Sequence, residues 1–239
     1  MRIAVLMPAF DEGERLARTL VDLATEARAH AIVVFVVDDG SRTPIDPPVT
    51  PGLSVVLARH PVNLGQGAAI ETARRLALDP RWGEHDAWVT MDSDGQHRAE
   101  DALRLAAAVA DGSADVALGD RFAGASNVPA SRRLVLWLAR LFERATTGLV
   151  LSDAHNGLRA FGPRAIGQMR LRQNRMAHAT ELTQRISQAE GALRVVELPV
   201  SVRYSAETLA KGQSASGAVA ILVDLFQAFL FADAKEKPR

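Results

Sequence analysis

Four short apolar runs, at residues 3–7, 31–37, 53–58 and 87–91, are separated by segments of helical periodicity, and this alternation constrains the fold more than any other feature. Strands that read as continuous apolar runs are buried on both faces, which calls for helices above and below a mostly parallel sheet. Residues 12–29 carry Leu16, Leu20 and Leu23 at helical spacing, and 67–78 and 100–110 read as further helices, followed by an apolar strand at 115–118. In open sheets of this α/β class, ligands bind beyond the carboxyl ends of the strands. The chain places its polar clusters at those ends.

Composition removes several function classes. Lys+Arg and Asp+Glu balance at 28 each, so nothing in the charge points to a nucleic-acid partner. No cysteine is present, which excludes disulfides, thiolate metal ligands and a cysteine nucleophile. The chain enters its first strand directly after Met1-Arg2, without a long apolar leader. The late apolar run at 218–232 contains Asp224 and Gln227 and is too short to span a bilayer. A cytoplasmic protein, free or peripheral at the inner face of a membrane, is the expectation.

After Phe122 the pattern changes. Residues 131–147 read as a helix carrying Arg132, Arg133 and Trp137, 153–161 as a turn and strand, and 178–190 as a helix. Residues 193–204 read as a strand that Pro199 consigns to an edge or bulge. A Gly/Ser/Lys loop and an amphipathic helix at 216–232 follow.

The chemistry concentrates in four places. In Trp88-Val89-Thr90-Met91-Asp92-Ser93-Asp94-Gly95-Gln96-His97, a strand ends in two carboxylates spaced two apart, which leave it on the same side. They would repel each other unpaired and make sense around a hard cation such as Mg²⁺ or Mn²⁺, which takes oxygen ligands and bridges to phosphates, or the segment is an ordinary solvated turn. Val37-Asp38-Asp39-Gly40-Ser41 sets adjacent acids at a strand end, suited to an imino N–H or to ribose hydroxyls, or to an ordinary turn. In Pro8-Ala9-Phe10-Asp11-Glu12 the proline is read as ending the strand, with Asp11 and Glu12 accepting from hydroxyls or capping a helix. Asn63-Leu64-Gly65-Gln66-Gly67 opens a helix whose N–H groups could meet an anion, though close packing explains the two glycines equally well. It lacks the third glycine of a dinucleotide fingerprint and does not follow the first strand, so an NAD-linked dehydrogenase is disfavoured.

In this order, and with Gly119-Asp120-Arg121-Phe122 and Gly157-Leu158-Arg159-Ala160-Phe161, the motifs resemble family 2 glycosyltransferases of the GT-A fold. The branch that transfers mannose or glucose to polyprenyl or dolichyl phosphate is the most similar. The resemblance implies one GT-A domain over 1–239, with a nucleotide-sugar half (1–122), an acceptor half (123–216) and a C-terminal helix and tail (217–239). It implies that Pro8, Ala9, Glu12 and Asp39 hold the nucleoside, with Asp11, Gly65, Gly67, Ser93 and Lys211 in the same site. Asp92, Asp94 and Gln96 would hold Mg²⁺ or Mn²⁺ on the diphosphate, and Arg121, Arg132, Arg133 and Arg203 the acceptor phosphate.

A phosphate acceptor is ionised at neutral pH and needs little help from a base, whereas a sugar hydroxyl needs a carboxylate, for which Asp153 and Glu181 are the candidates. Glu181 reads equally well as an i,i+4 partner of Arg185. The expected activity is inverting transfer of a hexose from a UDP- or GDP-sugar to a polyprenyl phosphate. The alternatives are transfer to a saccharide hydroxyl, and a non-catalytic nucleotide-binding partner of a membrane glycosylation complex. The sequence departs from the branch in lacking transmembrane helices after the catalytic part and in having Gly-Asp-Arg at 119–121 where Gly-Ser-Arg is common. The Trp137 helix and the last helix either belong to the core or replace those spans by docking on a membrane or on a small membrane protein.

Overall fold

The computed structural model describes residues 1–27, 29–123, 151–153, 156–174, 177–189 and 193–203. Along the chain run β1 (Arg2–Ala9), α1 (Gly13–Glu26), β2 (Ala31–Asp38), β3 (Leu53–Arg59), α2 (Gln66–Ala77) and β4 (Ala87–Thr90). Then come α3 (Ala99–Ala110), β5 (Val116–Asp120), β6 (Arg159–Phe161), the short α4 (Pro163–Ile166), α5 (Ala177–Gln188) and β7 (Val195–Pro199). The helices expected at 131–147 and 216–232 lie outside the described residues.

The strands form one sheet in the order β3-β2-β1-β4-β6-β5-β7. Among the described strands only β6 is reversed, pairing antiparallel with β4 and β5, while β1–β2, β1–β4, β2–β3 and β5–β7 are parallel. Alternation along β1 divides the core. Ile3, Val5 and Met7 pack with Leu16, Leu20 and Leu105 of α1 and α3, and Ala4 and Leu6 pack on the other face with Ile70, Ala73 and Leu182 of α2 and α5. Each fully buried Leu or Ile contributes about 1.5–3 kcal/mol of transfer free energy, which is why continuous apolar runs seek the middle of such a sheet.

Pro8 does not end β1, contrary to the sequence expectation. The strand runs on to Ala9, with Pro8 opposite Val37 and Ala9 opposite Asp38. The reason is directional. Leu6 faces β4, since its carbonyl accepts from Met91 N–H at 3.1 Å, so by alternation Pro8 faces β4 as well. The β1–β4 ladder stops at Leu6 opposite Thr90, so the missing N–H of Pro8 falls where no partner remains.

Pro199 is an edge residue as expected, but β7 ends there, short of the strand read over 193–204. Beyond it Val200 N–H donates to Asp120 O and a single bridge joins Val202 to His97. The Pro-rich stretch after β2 is a loop, and Asp38 organises it by accepting from Ser41 N–H (2.9 Å) and Ile45 N–H (3.1 Å). Burial disfavours the Asp38 charge, yet these donors and Arg59 hold its carboxyl below the usual range. Asp120 plays a similar part at Gly-Asp-Arg, accepting from Phe122 N–H (2.8 Å) and Ala123 N–H (3.2 Å).

Candidate active site

The neighbouring strands β2, β1 and β4 end together, and the segments beyond them wall a cleft of about 400 Å³. Pro8, Ala9, Phe10 and Glu12 come from the end of β1, Asp39 from β2, and Asp92, Ser93 and Asp94 from β4. Asn63, Gly65 and Gln66, at the mouth of α2, close the remaining side. Of the residues expected in the nucleotide and metal sites, Pro8, Ala9, Glu12, Asp39, Gly65, Asp92, Ser93 and Asp94 thus share one cleft. Phe10, Asn63 and Gln66 join them without having been singled out, although they lie inside motifs that the sequence flagged.

Asp92 is pinned on both oxygens. Gln66 Nε2 donates to Oδ1 at 2.8 Å, and His97 Nε2 lies 3.1 Å from Oδ2. Burial opposes its ionisation, but the bond to His97 and the charges of His97, His178 and Arg159 outweigh it and lower its pKa. Asp94 goes the other way: burial, then the Asp92 charge, push its pKa up, against the Gln96 N–H that donates to Oδ1 at 3.0 Å. Two acids two residues apart are therefore driven in opposite directions: positive groups favour the charge of Asp92, while burial beside that charge disfavours a second one on Asp94. From α1, Thr19 Oγ1 donates to Ser93 O at 3.2 Å and steadies the turn between them.

The donor set fits a hard divalent cation. Among the described residues no three His, Asp or Glu side chains converge to hold a metal alone. A cation at Asp92 and Asp94 would complete its shell with an amide oxygen, water and phosphate oxygens, the usual mode of Mg²⁺ beside a nucleotide. Gln96 turns its amide nitrogen to Asp94 Oδ2 at 2.7 Å, so it could ligate only after the amide turns over.

Asp39 is buried and carries the wall opposite. It accepts from Leu64 N–H (3.0 Å) and Gly65 N–H (2.7 Å), and His60 Nδ1 lies 2.7 Å from its Oδ1. Gly65 has φ +99°, a left-handed conformation that suits glycine and turns its N–H to Asp39. Gly67 serves packing: a methyl there would lie 2.1 Å from Gln173 O and 2.8 Å from His178 Cβ, so α2 and α5 could not approach so closely. His178 is a buried residue of α5.

Other expected residues stand elsewhere. Asp11, at φ +54°, binds Arg42 N–H (3.0 Å) and Nε (2.9 Å), which lower its pKa, and ties two loops together outside the cleft lining. Arg121 and Asp153 are buried and paired, Nε to Oδ2 at 2.5 Å, with Asn156 Nδ2 on the same oxygen at 3.1 Å. Glu181 accepts from Arg172 N–H (2.7 Å), Gln173 N–H (2.8 Å) and, at 3.2 and 2.7 Å, from Arg185. Neither Asp153 nor Glu181 lines the cleft. The Arg203 guanidinium lies 3.6 Å from Asp22 of α1, while its N–H donates to Gln96 O at 2.9 Å. Arg132, Arg133 and Lys211 lie outside the described residues.

Residues 4–168 match the family model described as Glycosyl transferase family 2. The undecaprenyl-phosphate mannosyltransferase of Micrococcus luteus is 30% identical over 210 residues, 84% of this chain and 83% of that protein. The UDP-N-acetylglucosamine–dolichyl-phosphate N-acetylglucosaminyltransferase of Methanococcus voltae is 23% identical over 231 residues, 88% of this chain and 89% of its own. In fold the chain is similar to glucosyl-3-phosphoglycerate synthase from Mycobacterium tuberculosis, solved with Mn²⁺, uridine diphosphate and phosphoglyceric acid. That likeness has a TM-score of 0.62 at 15% identity and covers 95% of this chain and 78% of that one.

Proposed function

The chain belongs to glycosyl transferase family 2, has the GT-A fold and is a glycosyltransferase; on that premise we propose that it moves a hexose, with inversion, from a UDP- or GDP-sugar to a polyprenyl phosphate. The reading rests above all on the cleft at the ends of β1, β2 and β4, where Asp92 and Asp94 face a space large enough for a nucleotide, with the pKa of Asp92 held down by His97 and the charges around it and that of Asp94 pushed up by burial and the Asp92 charge. Asp39, Ala9 and Glu12 line the part of the cleft that would take the nucleoside. A Mg²⁺ or Mn²⁺ ion held by Asp92, Asp94 and Gln96 would supply positive charge to the departing diphosphate.

In this reaction an acceptor oxygen attacks the anomeric carbon, the bond to the diphosphate breaks, and the electron pair leaves with the nucleoside diphosphate. A hydroxyl acceptor must lose a proton in that step, and a carboxylate in the cleft would have to take it. The two candidates are otherwise engaged: Asp153 accepts from Arg121 and Asn156, and Glu181 accepts from a loop backbone and from Arg185. A phosphate acceptor arrives already ionised and asks for no such base. The names of the Micrococcus luteus and Methanococcus voltae relatives, both of which carry a lipid phosphate, support the same acceptor class.

The test is transfer of radiolabelled hexose from a panel of UDP- and GDP-sugars into solvent-extractable polyprenyl phosphate, with and without MnCl₂. Metal-dependent labelling of the lipid is expected. Labelling of saccharide acceptors alone, or full labelling in the presence of EDTA, would overturn the proposal.

A further inference from the structure

We propose that His60 is a positioning residue for Asp39, and that the pair selects a uracil-bearing donor over a guanine-bearing one. The inference deepens the nucleotide-sugar reading and rests on it. His60 follows β3, is buried, and donates its backbone N–H to Asp38 O at 2.9 Å. Its ring joins two elements: Nδ1 lies 2.7 Å from Asp39 Oδ1, and Nε2 lies 2.9 Å from Thr72 Oγ1 on α2. The Asp39 carboxylate only accepts, so Nδ1 carries the hydrogen, and in the neutral ring Nε2 accepts from the threonine hydroxyl. The imidazole is fixed at both ends, and it fixes the carboxylate in turn.

Counting acceptor positions gives the consequence. An ionised carboxylate offers about four, two on each oxygen. His60 and the Leu64 N–H occupy both on Oδ1, and the Gly65 N–H takes one on Oδ2, which leaves one for a ligand in the cleft. Uracil presents a single ring N–H between two carbonyls, which one acceptor position satisfies. Guanine presents a ring N–H beside an amino group, an edge that a carboxylate reads with both oxygens. With Oδ1 saturated, one guanine donor would enter the cleft unpaired, and a buried unpaired donor costs roughly tenfold to a hundredfold in affinity. Removing the His60 ring would return an acceptor position to Oδ1 and let the carboxylate turn, so affinity for uridine nucleotides and preference between bases should fall together.

Calorimetric titration of the full chain with UDP and with GDP, each with MnCl₂, tests this. The unsubstituted protein should bind UDP at least tenfold more tightly than GDP. His60→Leu should weaken UDP tenfold or more and bring the two within threefold of each other. His60→Asn, whose amide reaches Oδ1 from the place of Nδ1, should largely restore the preference. GDP binding as tightly as UDP to the unsubstituted protein overturns the base selection and leaves the nucleotide-sugar reading standing, whereas failure of both nucleotides to bind overturns the two together. A folded His60→Leu protein with its UDP preference intact overturns the positioning role. Should that variant not fold, Thr72→Val, which removes only the far hydroxyl, decides the same point: the ratio must drop threefold or more, and an unchanged ratio sinks the role of His60.

Discussion

A methyl group at position 157 would lie 2.4 Å from Asp92 Oδ2, so the chain makes room for this carboxylate with a glycine that approaches from the turn before β6. The approach is tied down, because Thr90 Oγ1 donates to Gly157 O at 2.8 Å. Asp92 has little freedom to retreat, held as it is by Gln66 on one oxygen and His97 on the other.

Gly157→Ala should therefore act on the cleft before it acts on the fold. Moving a positioned group by about 1 Å can cost on the order of a hundredfold in rate. The Kd for a nucleoside diphosphate with MnCl₂ should rise tenfold or more while the melting temperature changes by only a few degrees. Unchanged nucleotide affinity would show that the Asp92 position is not what the glycine protects.

Asp94→Asn should separate stability from function. Burial and the neighbouring Asp92 raise the Asp94 pKa, so its ionised form is a destabilising charge in the folded protein at neutral pH. Replacing it with the neutral amide should raise the melting temperature of the metal-free protein at pH 7. The same change would take a hard oxygen ligand from the proposed metal site, so stabilisation by nucleotide plus Mn²⁺ should largely vanish. A thermal melt with and without both ligands reads the two effects. Undiminished metal-dependent stabilisation would remove Asp94 from the metal site.

Glu181→Gln should be a stability variant with small catalytic cost. The carboxylate clamps residues 172–173 and pairs with Arg185 rather than facing the cleft. Loss of its charge should cost roughly 1–2 kcal/mol in urea unfolding, with transfer to polyprenyl phosphate kept within threefold at saturating substrates. A hundredfold loss of turnover in a folded protein would reinstate Glu181 as a base and favour a hydroxyl acceptor.

The strands were legible because burial on both faces leaves an unbroken apolar run, and the cleft was legible because acids stand where those runs stop. Pro8 was misread because the rule against proline in a central strand is a rule about hydrogen-bond partners. A single sequence does not reveal that the β4 ladder ends two residues earlier on that side. The i,i+4 spacing announced the Glu181–Arg185 pair, but nothing local announced the grip of Glu181 on a loop eight or nine residues back. His60 and Gln66 carried no signal of their own. Their partners, Asp39 and Asp92, lie 21 and 26 residues away in the chain, and only the parallel crossovers bring them together.

Glu71, on α2, should set part of the acid stability of the fold. Its buried carboxylate accepts from Arg74 Nε (2.8 Å) and Nη2 (2.9 Å), from Arg75 Nε (2.8 Å) and from Leu171 N–H (3.1 Å). Burial alone would raise its pKa, but these donors bring it from 4.5 to about 2. A carboxyl depressed in the folded state leaves the unfolded chain binding the extra proton, so stability grows with pH across that interval. The contribution is fully present above about pH 4.5 and is lost as the pH falls through about 2. It amounts to roughly 3 kcal/mol at neutral pH. Glu71→Gln should lose most of it, because buried Arg74 is left without its counter-charge. Urea unfolding at pH 7 and at pH 3 checks both parts: the gap between variant and parent should be near its full size at pH 7 and clearly smaller at pH 3. An equal gap at the two values would mean that the ionisation of Glu71 is not what stabilises this corner of the sheet.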